Sequence, residues 1–134
     1  MVRTELGCKA ADIFAGVAAS AFALTEEGVV SCHPQRAISV ISFRGMNEQL
    51  VRYGGGASSV VPGMPVTFLS AQGTFQKWAE LDECAGQPSA QDAAGCSRYS
   101  GCKDGVDVIL CTSSGGQDFP DASFAWPILR AHTR

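Results

Sequence analysis

The sequence predicts an α/β fold with a mainly parallel sheet, and two observations lead to this fold class. Residues 13–19, 37–43 and 106–111 form short apolar runs bounded by glycine, proline or polar residues, which is typical of strands buried in a parallel sheet. Residues 73–83 instead place apolar side chains at helical spacing. Strands combined with a covering helix indicate a layered α/β architecture.

Composition limits the size and the partners of this fold. The chain has 134 residues, of which 46% are hydrophobic and 17% charged, so a single domain over residues 1–134 is expected. The net charge is −3 without a basic block, so nucleic acid is not expected as a partner. Apolar stretches are interrupted within about fifteen residues, short of the roughly 20 that span a bilayer, so no membrane partner is expected.

The first half of the chain supplies two predicted strands. Helix-forming residues 1–11 lead into the small-residue apolar run 13–19, which ends at Ser20 and suits a buried parallel strand. Residues 37–43 form the second strand pattern, which ends at Arg44 and Gly45. Residues 57–69 contain glycine, proline and serine, and are predicted to be a connection.

The second half supplies a covering helix, a hairpin and a final helix. Residues 70–72 can cap a helix over 73–83, with Phe75, Trp78 and Ala79 on one apolar stripe that Leu81 widens. Residues 85–95 are predicted to be a surface loop. Strand 106–111 stops at the flexible residues Ser113, Ser114, Gly115 and Gly116, and Pro127 suits the first turn of a final helix with Ile128, Leu129 and His132 facing inward.

Six cysteines in a chain of this length indicate disulfides and an oxidising compartment. Six cysteines allow fifteen connectivities. A turn at residues 103–104 would place Cys96 opposite Cys111, which makes this pair a candidate and leaves Cys84 with Cys102 as its complement. Cys8 and Cys32 pair by elimination. A zinc site competes with this interpretation, but the chain lacks C-x2-C spacing and has only two histidines.

Several segments resemble the secreted polyhydroxybutyrate depolymerase and feruloyl esterase group of the α/β-hydrolase superfamily. They are Cys8 with residues 11–18, the Tyr-Gly-Gly-Gly run at 53–56, the helix 75–84, and the hairpin 96–116. The group's last catalytic loop reads Gly-Gly-His-x-Trp-Pro, and its histidine is the general base. Here that loop reads Gly-Gly-Gln-Asp-Phe-Pro, so Gln117 stands where the resemblance places the histidine.

The resemblance implies a partial α/β-hydrolase, a three-layer sandwich that corresponds to the C-terminal half of the fold. The group's nucleophile lies in a Gly-x-Ser-x-Gly elbow, which the resemblance places just before Met1, so the domain is expected to be truncated and its serine triad incomplete. The implied activity is hydrolysis of ester bonds in hydroxyalkanoate polymers, feruloylated polysaccharides or small acyl esters, without a metal or other cofactor. The implied location is secreted or periplasmic, although residues 1–8 show no signal peptide pattern.

Three residues are candidate catalytic groups. Glu48 occupies the position of the group's aspartate, which orients the histidine, and a glutamate can fill that role. With no histidine to orient, an exposed loop carboxylate is the equally supported alternative. Gln117 replaces the base, and Asp118 follows it. If the two loops converge, Glu48 and Asp118 could act on a glycosidic bond or hold a divalent cation.

Other serines and histidines lack the setting that catalysis requires. Ser20, Ser113 and Ser114 lie outside a Gly-x-Ser-x-Gly frame and have no neighbouring base, and His33 and His132 are predicted to be surface or packed residues.

Three classes of function follow from these observations. The chain is a hydrolase with a rebuilt site, a non-catalytic protein that binds a polymer or carbohydrate, or a fragment completed by a missing N-terminal half. The half sheet would have an unpaired edge, which predicts a homodimer.

Overall fold

A computed structural model describes residues 8–9, 11, 13–20, 23–48, 51–58, 63, 66–114 and 122–131. The strands are β1 (Gly16–Ser20), β2 (Ser39–Gly45), β3 (Gly56–Ser58), β4 (Val66–Phe68), β5 (Cys96–Tyr99) and β6 (Val108–Ser113). The helices are α1 (Glu26–Val30), α2 (Ala71–Leu81) and α3 (Ala122–Arg130), with a 3₁₀ turn at Lys103–Gly105. None of the described helices has the length and apolar character to cross a membrane.

Four strands form the main sheet in the order β1-β2-β6-β5. β1, β2 and β6 are parallel, with Val17 beside Val40 and Ile41 beside Ile109. β5 pairs antiparallel with β6, and Cys96 lies opposite Cys111. The mainly parallel sheet and the register of the hairpin are therefore confirmed.

Helices cover both faces of this sheet. On one face, α2 packs Phe75 and Trp78 against Val40 and Leu110 of the sheet. On the other face, α3 packs Ala125, Ile128 and Leu129 against a cluster that contains Ile41, Ile109 and the Cys96–Cys111 bridge. The alternation of side chains along β2 explains this arrangement, since Val40 and Ile41 point to opposite faces.

Helix α2 follows the predicted pattern closely. Ser70 is its N-cap, and its hydroxyl accepts a hydrogen bond of 2.8 Å from Gly73 N–H. The stripe of Phe75, Trp78 and Ala79 is buried, and the Trp78 side chain is fully enclosed. Trp78 is therefore a core residue.

Three disulfides join Cys8 to Cys32, Cys84 to Cys102, and Cys96 to Cys111. This connectivity agrees with the pairing predicted from the hairpin turn. Because the three bridges include all six cysteines, the disulfide interpretation is confirmed over the zinc alternative.

The predicted connection at residues 57–69 contains two strands. β3 and β4 pair antiparallel as a separate small sheet, with Ala57 opposite Thr67. The prediction was wrong because each strand has only three residues, too few to show an alternating pattern in the sequence. Phe68 gives this sheet its own small core together with Ala23 and Val51.

The start of β1 and the position of Pro127 also differ from prediction. β1 begins at Gly16, and Ile13 and Phe14 are 67% and 43% exposed, because Ile13 lies in a turn and Ala15 in a bend before the strand. Pro127 lies inside α3, not in its first turn. Ala125, Ile128 and Leu129 lie at i, i+3 and i+4 and pack towards the sheet, and this stripe outweighs the one backbone hydrogen bond that proline removes.

Candidate functional site

The candidate site lies where β2 and β6 end. Because these strands are parallel neighbours, their carboxyl ends meet at one edge of the sheet. The loop after β2, residues 46–55, carries Glu48 and is the acid loop. Met46 N–H donates to Ser113 O at 2.9 Å, and Asn47 Nδ2 donates to Ser114 O at 2.8 Å. The acid loop is thus bound to the end of β6, from which residues 115–120 continue.

Glu48 is a buried carboxylate with partners for both oxygens. Its Oε1 accepts a 2.8 Å hydrogen bond from Gly45 N–H, and its Oε2 lies 3.1 Å from Arg44 Nε. The Glu48 residue is 7% exposed, so the exposed-carboxylate alternative is wrong. The physical reason is the charge of Arg44, which is buried at the end of β2 and requires a counterion within reach.

Arg44 organises the acid loop beyond this ion pair. Its Nη2 donates to Val51 O at 2.8 Å and to Arg52 O at 3.2 Å, and the residue is 1% exposed. Its Nη1 has no hydrogen-bond partner within the described part of the chain. One guanidinium therefore links the Glu48 carboxylate to two carbonyl groups later in the loop.

The end of the acid loop is held by β6 and α2. Tyr53 OH lies 2.9 Å from Thr112 Oγ1 and accepts a hydrogen bond from Gln72 Nε2 at 3.2 Å. Tyr53 O accepts from Ala71 N–H at 2.8 Å. Gly55 has φ of +78°, and a Cβ there would lie 2.6 Å from Ser70 N, so only glycine fits this close approach. The acid loop is anchored along the length that the structure describes.

This geometry restricts what Glu48 can do. A carboxylate has about four acceptor positions, so Glu48 could still accept one further donor such as a histidine N–H. Its charge is already balanced by Arg44, which disfavours binding of a divalent cation beside it. Across the described residues, no group of three or more histidine, cysteine, aspartate or glutamate side chains could hold a metal ion.

The other predicted candidates lie elsewhere or outside the described residues. The residues outside the described part are Gln117, Asp118 and His132, together with the side chain of Ser20. The approach of Asp118 to Glu48 therefore stays a prediction. His33 is exposed before β2, with its Nε2 3.1 Å from Val30 O, away from the acid loop. Ser113 and Ser114 contribute backbone carbonyls to the contact with the acid loop.

Arg44 is the residue of this site that sequence reasoning missed. A single cation at the end of an apolar strand, four residues before an acid, was the available signal. The apolar run 37–43 predicted a strand that ends at Arg44 and Gly45, as β2 does, but it gave no sign that the guanidinium is buried.

A second buried charge lies at the opposite end of β2. Asp82 follows α2 and is fully buried, and its Oδ1 accepts a 3.0 Å hydrogen bond from Ile38 N–H, while Oδ2 has no partner in the described chain. Burial raises the pKa of the Asp82 carboxyl from 3.8 to about 7, although the bond from Ile38 lowers it. Its position marks it as a link between α2 and β2.

Together these features define an α/β unit with three disulfides and a mainly parallel sheet. A buried carboxylate, held by Arg44 and by Gly45 N–H, lies at the edge of the sheet where the parallel strands end. No protein-family model matches the chain. The chain is similar to Feruloyl esterase B of Piromyces equi, with 40% identity over 129 residues, which cover 92% of this chain and 24% of that protein. The chain thus spans about a quarter of this relative's length. The similarity supports a relationship to an esterase.

Proposed function

We propose that this chain is the C-terminal part of an esterase-type α/β-hydrolase, related to feruloyl esterases, in which the serine triad is not intact. The observation that carries the proposal is the 40% identity to Feruloyl esterase B over nearly the whole chain. The buried Glu48 on a loop beside the end of β6 supports it, since a triad acid belongs on such a loop. Gln117 occupies the position where the resemblance places the histidine.

The substrate class follows from the relative's name and from the resemblance. We propose that the complete fold to which this chain belongs acts on an ester of an aromatic acid or on a polysaccharide ester, without a metal. A glutamine at position 117 cannot take a proton from a serine, because a neutral amide is not a base at ordinary pH. The isolated chain is therefore expected to be inactive, and its remaining capacity is to complete a hydrolase fold or to bind a polymer.

The location proposed for the protein is an oxidising compartment, either secreted or periplasmic. Its three disulfides support this, since such bridges persist where thiols are not kept reduced.

A direct assay tests the first half of this proposal. The purified chain is incubated with p-nitrophenyl acyl esters, methyl ferulate and p-nitrophenyl glycosides, each with and without EDTA. We expect no turnover of any substrate. Ester turnover that is lost in Glu48→Gln but kept in the surface variant Glu80→Gln would overturn the claim of an incomplete triad. Glycoside turnover, or activity lost with EDTA, would replace the esterase proposal by one built on Glu48 and Asp118.

A chimera tests the second half. The matching segment of Piromyces equi Feruloyl esterase B is replaced by this chain, and hydrolysis of methyl ferulate is measured with Gln117 and with Gln117→His. We expect an inactive chimera that gains activity with the histidine. A folded chimera that stays inactive after Gln117→His contradicts the proposal, as does one that is already active with glutamine. Circular dichroism and thermal melting establish that each chimera is folded.

A further inference from the structure

A small cavity opens beside β5, on the face of the sheet that α3 covers. Its volume is about 200 Å³, and it is lined by Ser89, Asp92, Cys96, Arg98 and Ile109. Sites for drug-sized ligands have roughly 300–1,000 Å³, so this cavity fits a ligand the size of a single small ring. The acid loop contributes no residue to this lining.

The inner wall of the cavity is apolar and firmly held. Ile109 and Cys96 are 1% and 6% exposed, and both belong to the core cluster that contains Ala125 of α3. Cys96 is bridged to Cys111, so the wall is fixed covalently as well as by packing. Such a wall gives the apolar face of a ligand a surface to pack against without rearrangement.

The opposite wall is the loop that precedes β5, which is hydrogen-bonded to that strand. Ser89 N–H donates to Arg98 O at 2.9 Å, and Ser89 Oγ accepts from Arg98 N–H at 3.1 Å. Asp92 Oδ1 accepts from Ala94 N–H at 2.9 Å and from Cys96 N–H at 3.0 Å. Ser89 and Asp92 are therefore positioned before any ligand binds, which lowers the entropy cost of binding.

Three polar groups of the cavity keep hydrogen-bonding capacity that the described chain does not use. Asp92 uses Oδ1 for its two backbone bonds, which leaves Oδ2 as an acceptor. The Ser89 hydroxyl accepts one bond and retains its proton to donate. Arg98 Nε lies 3.6 Å from Asp107 Oδ1, and its Nη groups donate no hydrogen bond within the described chain. Asp92 and Arg98 therefore line one cavity without forming an ion pair with each other.

This set of groups favours a neutral ligand that carries several hydroxyls. Asp92 and Asp107 bring two negative charges against the one positive charge of Arg98, so an anion gains no net attraction, while a cation meets the guanidinium. A hydroxyl both donates and accepts, so adjacent hydroxyls of one ring can bond to a carboxylate and a guanidinium at the same time. Among the described residues, no group of three or more histidine, cysteine, aspartate or glutamate side chains could hold a metal ion here.

We propose that this cavity binds a single neutral sugar ring. Ser89, Asp92 and Arg98 bond to its hydroxyls, and Ile109 packs against its apolar face. Only β6 separates β5 from β2, so the cavity lies about 10 Å, or two strand spacings, from the strand that leads into the acid loop. The proposal gives the polymer-binding capacity of this chain a location. It depends on the chemistry of the cavity and not on the esterase proposal or the serine triad.

Sugar binding to the purified chain tests the proposal. The ¹⁵N-labelled protein is titrated with xylose, arabinose, glucose or galactose and followed by NMR. We expect at least one sugar to shift the amide signals of Ser89, Cys96 and Arg98 in a saturable manner, with a dissociation constant on the order of 1 mM, as for a small ligand with few contacts. The amide signal of Asn47, in the acid loop, should not move.

Two results of this titration overturn the proposal. One is the absence of saturable shifts at these three amides with all four sugars at about 100 mM, a hundred times the expected dissociation constant. The other comes from alanine and inorganic phosphate, which are titrated in the same way. If either of them saturates the three signals and the sugars do not, the cavity recognises charge.

Two variants of similar shape locate the binding. Asp92→Asn keeps the Oδ1 acceptor for the loop and turns the other oxygen into a donor, whereas Arg98→Gln removes the guanidinium and keeps the backbone bonds to Ser89. Each should weaken sugar binding by at least about tenfold, because a hydrogen bond to a charged group is lost. The amide spectrum without sugar establishes that each variant is folded.

The matched controls are Asp104→Asn and Arg36→Gln, which change exposed residues of the same types outside the cavity. Both should bind the sugar as the parent chain does. If folded Asp92→Asn and Arg98→Gln also bind like the parent, or if a control loses as much affinity as they do, the proposal is wrong.

Discussion

Replacing Asp82 with asparagine should stabilise the protein at neutral and alkaline pH and change its stability little near pH 4. Asp82 is fully buried, its Oδ1 accepts from Ile38 N–H, and no cation lies within salt-bridge distance of it among the described residues. An asparagine keeps the acceptor for Ile38 and carries no charge. The variant therefore imitates the protonated carboxyl in shape and hydrogen bonding.

The magnitude follows from the pKa. The folded protein holds the Asp82 proton with a pKa of about 7, against 3.8 as the ordinary value. Below pH 4 the group is protonated in both the folded and unfolded states and does not alter stability. Between about pH 4 and pH 7 the unfolded state loses the proton first, so stability falls as pH rises, by on the order of 4 kcal/mol in total, and then levels off.

Urea unfolding with the disulfides intact, measured at intervals from pH 4 to pH 8, provides the assay. Because the two proteins differ only at position 82, the difference in their free energies of unfolding reports on that position. We expect Asp82→Asn to be within about 1 kcal/mol of the parent at pH 4 and about 3 kcal/mol more stable at pH 8. The control is Glu83→Gln, which changes the exposed neighbouring residue. Its difference from the parent in free energy of unfolding should vary less with pH than that of Asp82→Asn. A constant difference for Asp82→Asn across the range would refute the reasoning.

Three further changes should separate the buried contacts from the surface ones. Trp78→Ala should lower the free energy of unfolding by about 3–5 kcal/mol in urea titrations, because the indole is fully enclosed; a loss below 1 kcal/mol would contradict its core position. Replacing Cys96 and Cys111 together by alanine should cost about 3 kcal/mol, as expected for a 15-residue separation, and thermal melting would reveal an unchanged midpoint if this were wrong. Glu48→Gln should lower the free energy of unfolding by about 3–5 kcal/mol, because it leaves a buried guanidinium without its counterion. Glu80→Gln, in an exposed pair, should lower it by less than about 1 kcal/mol. Equal losses would contradict the burial of the Arg44–Glu48 pair.

The parts of the fold that could be predicted are those that produce a recognisable pattern of residues in the sequence. The helix α2 was predictable because Phe75, Trp78 and Ala79 recur at helical spacing behind a serine cap. The bridge between Cys96 and Cys111 was predictable because an antiparallel hairpin fixes which residues lie opposite each other around its turn. In each case a local pattern and the global fold require the same arrangement.

The parts that could not be predicted depend on contacts between segments. The strands β3 and β4 are too short for periodicity, and their pairing is visible only in three dimensions. The exposure of Ile13 depends on where the chain turns before β1, which an uninterrupted apolar run does not show. The burial of Glu48 depends on the direction of the Arg44 side chain. The pattern of apolar residues therefore predicted helices and strands, but it did not predict which polar side chains are buried.

The buried pair of Arg44 and Glu48 bears on how much of a catalytic site this chain retains. Taking two charges out of water is costly, and a buried ion pair often adds little net stability. An apolar residue at position 44, however, could not bind Glu48 and the carbonyls of Val51 and Arg52 at once. The conformation of the acid loop is therefore set mainly by Arg44, independently of any histidine. The proposed gain of activity on Gln117→His therefore does not need the histidine to hold the Glu48 carboxylate in place.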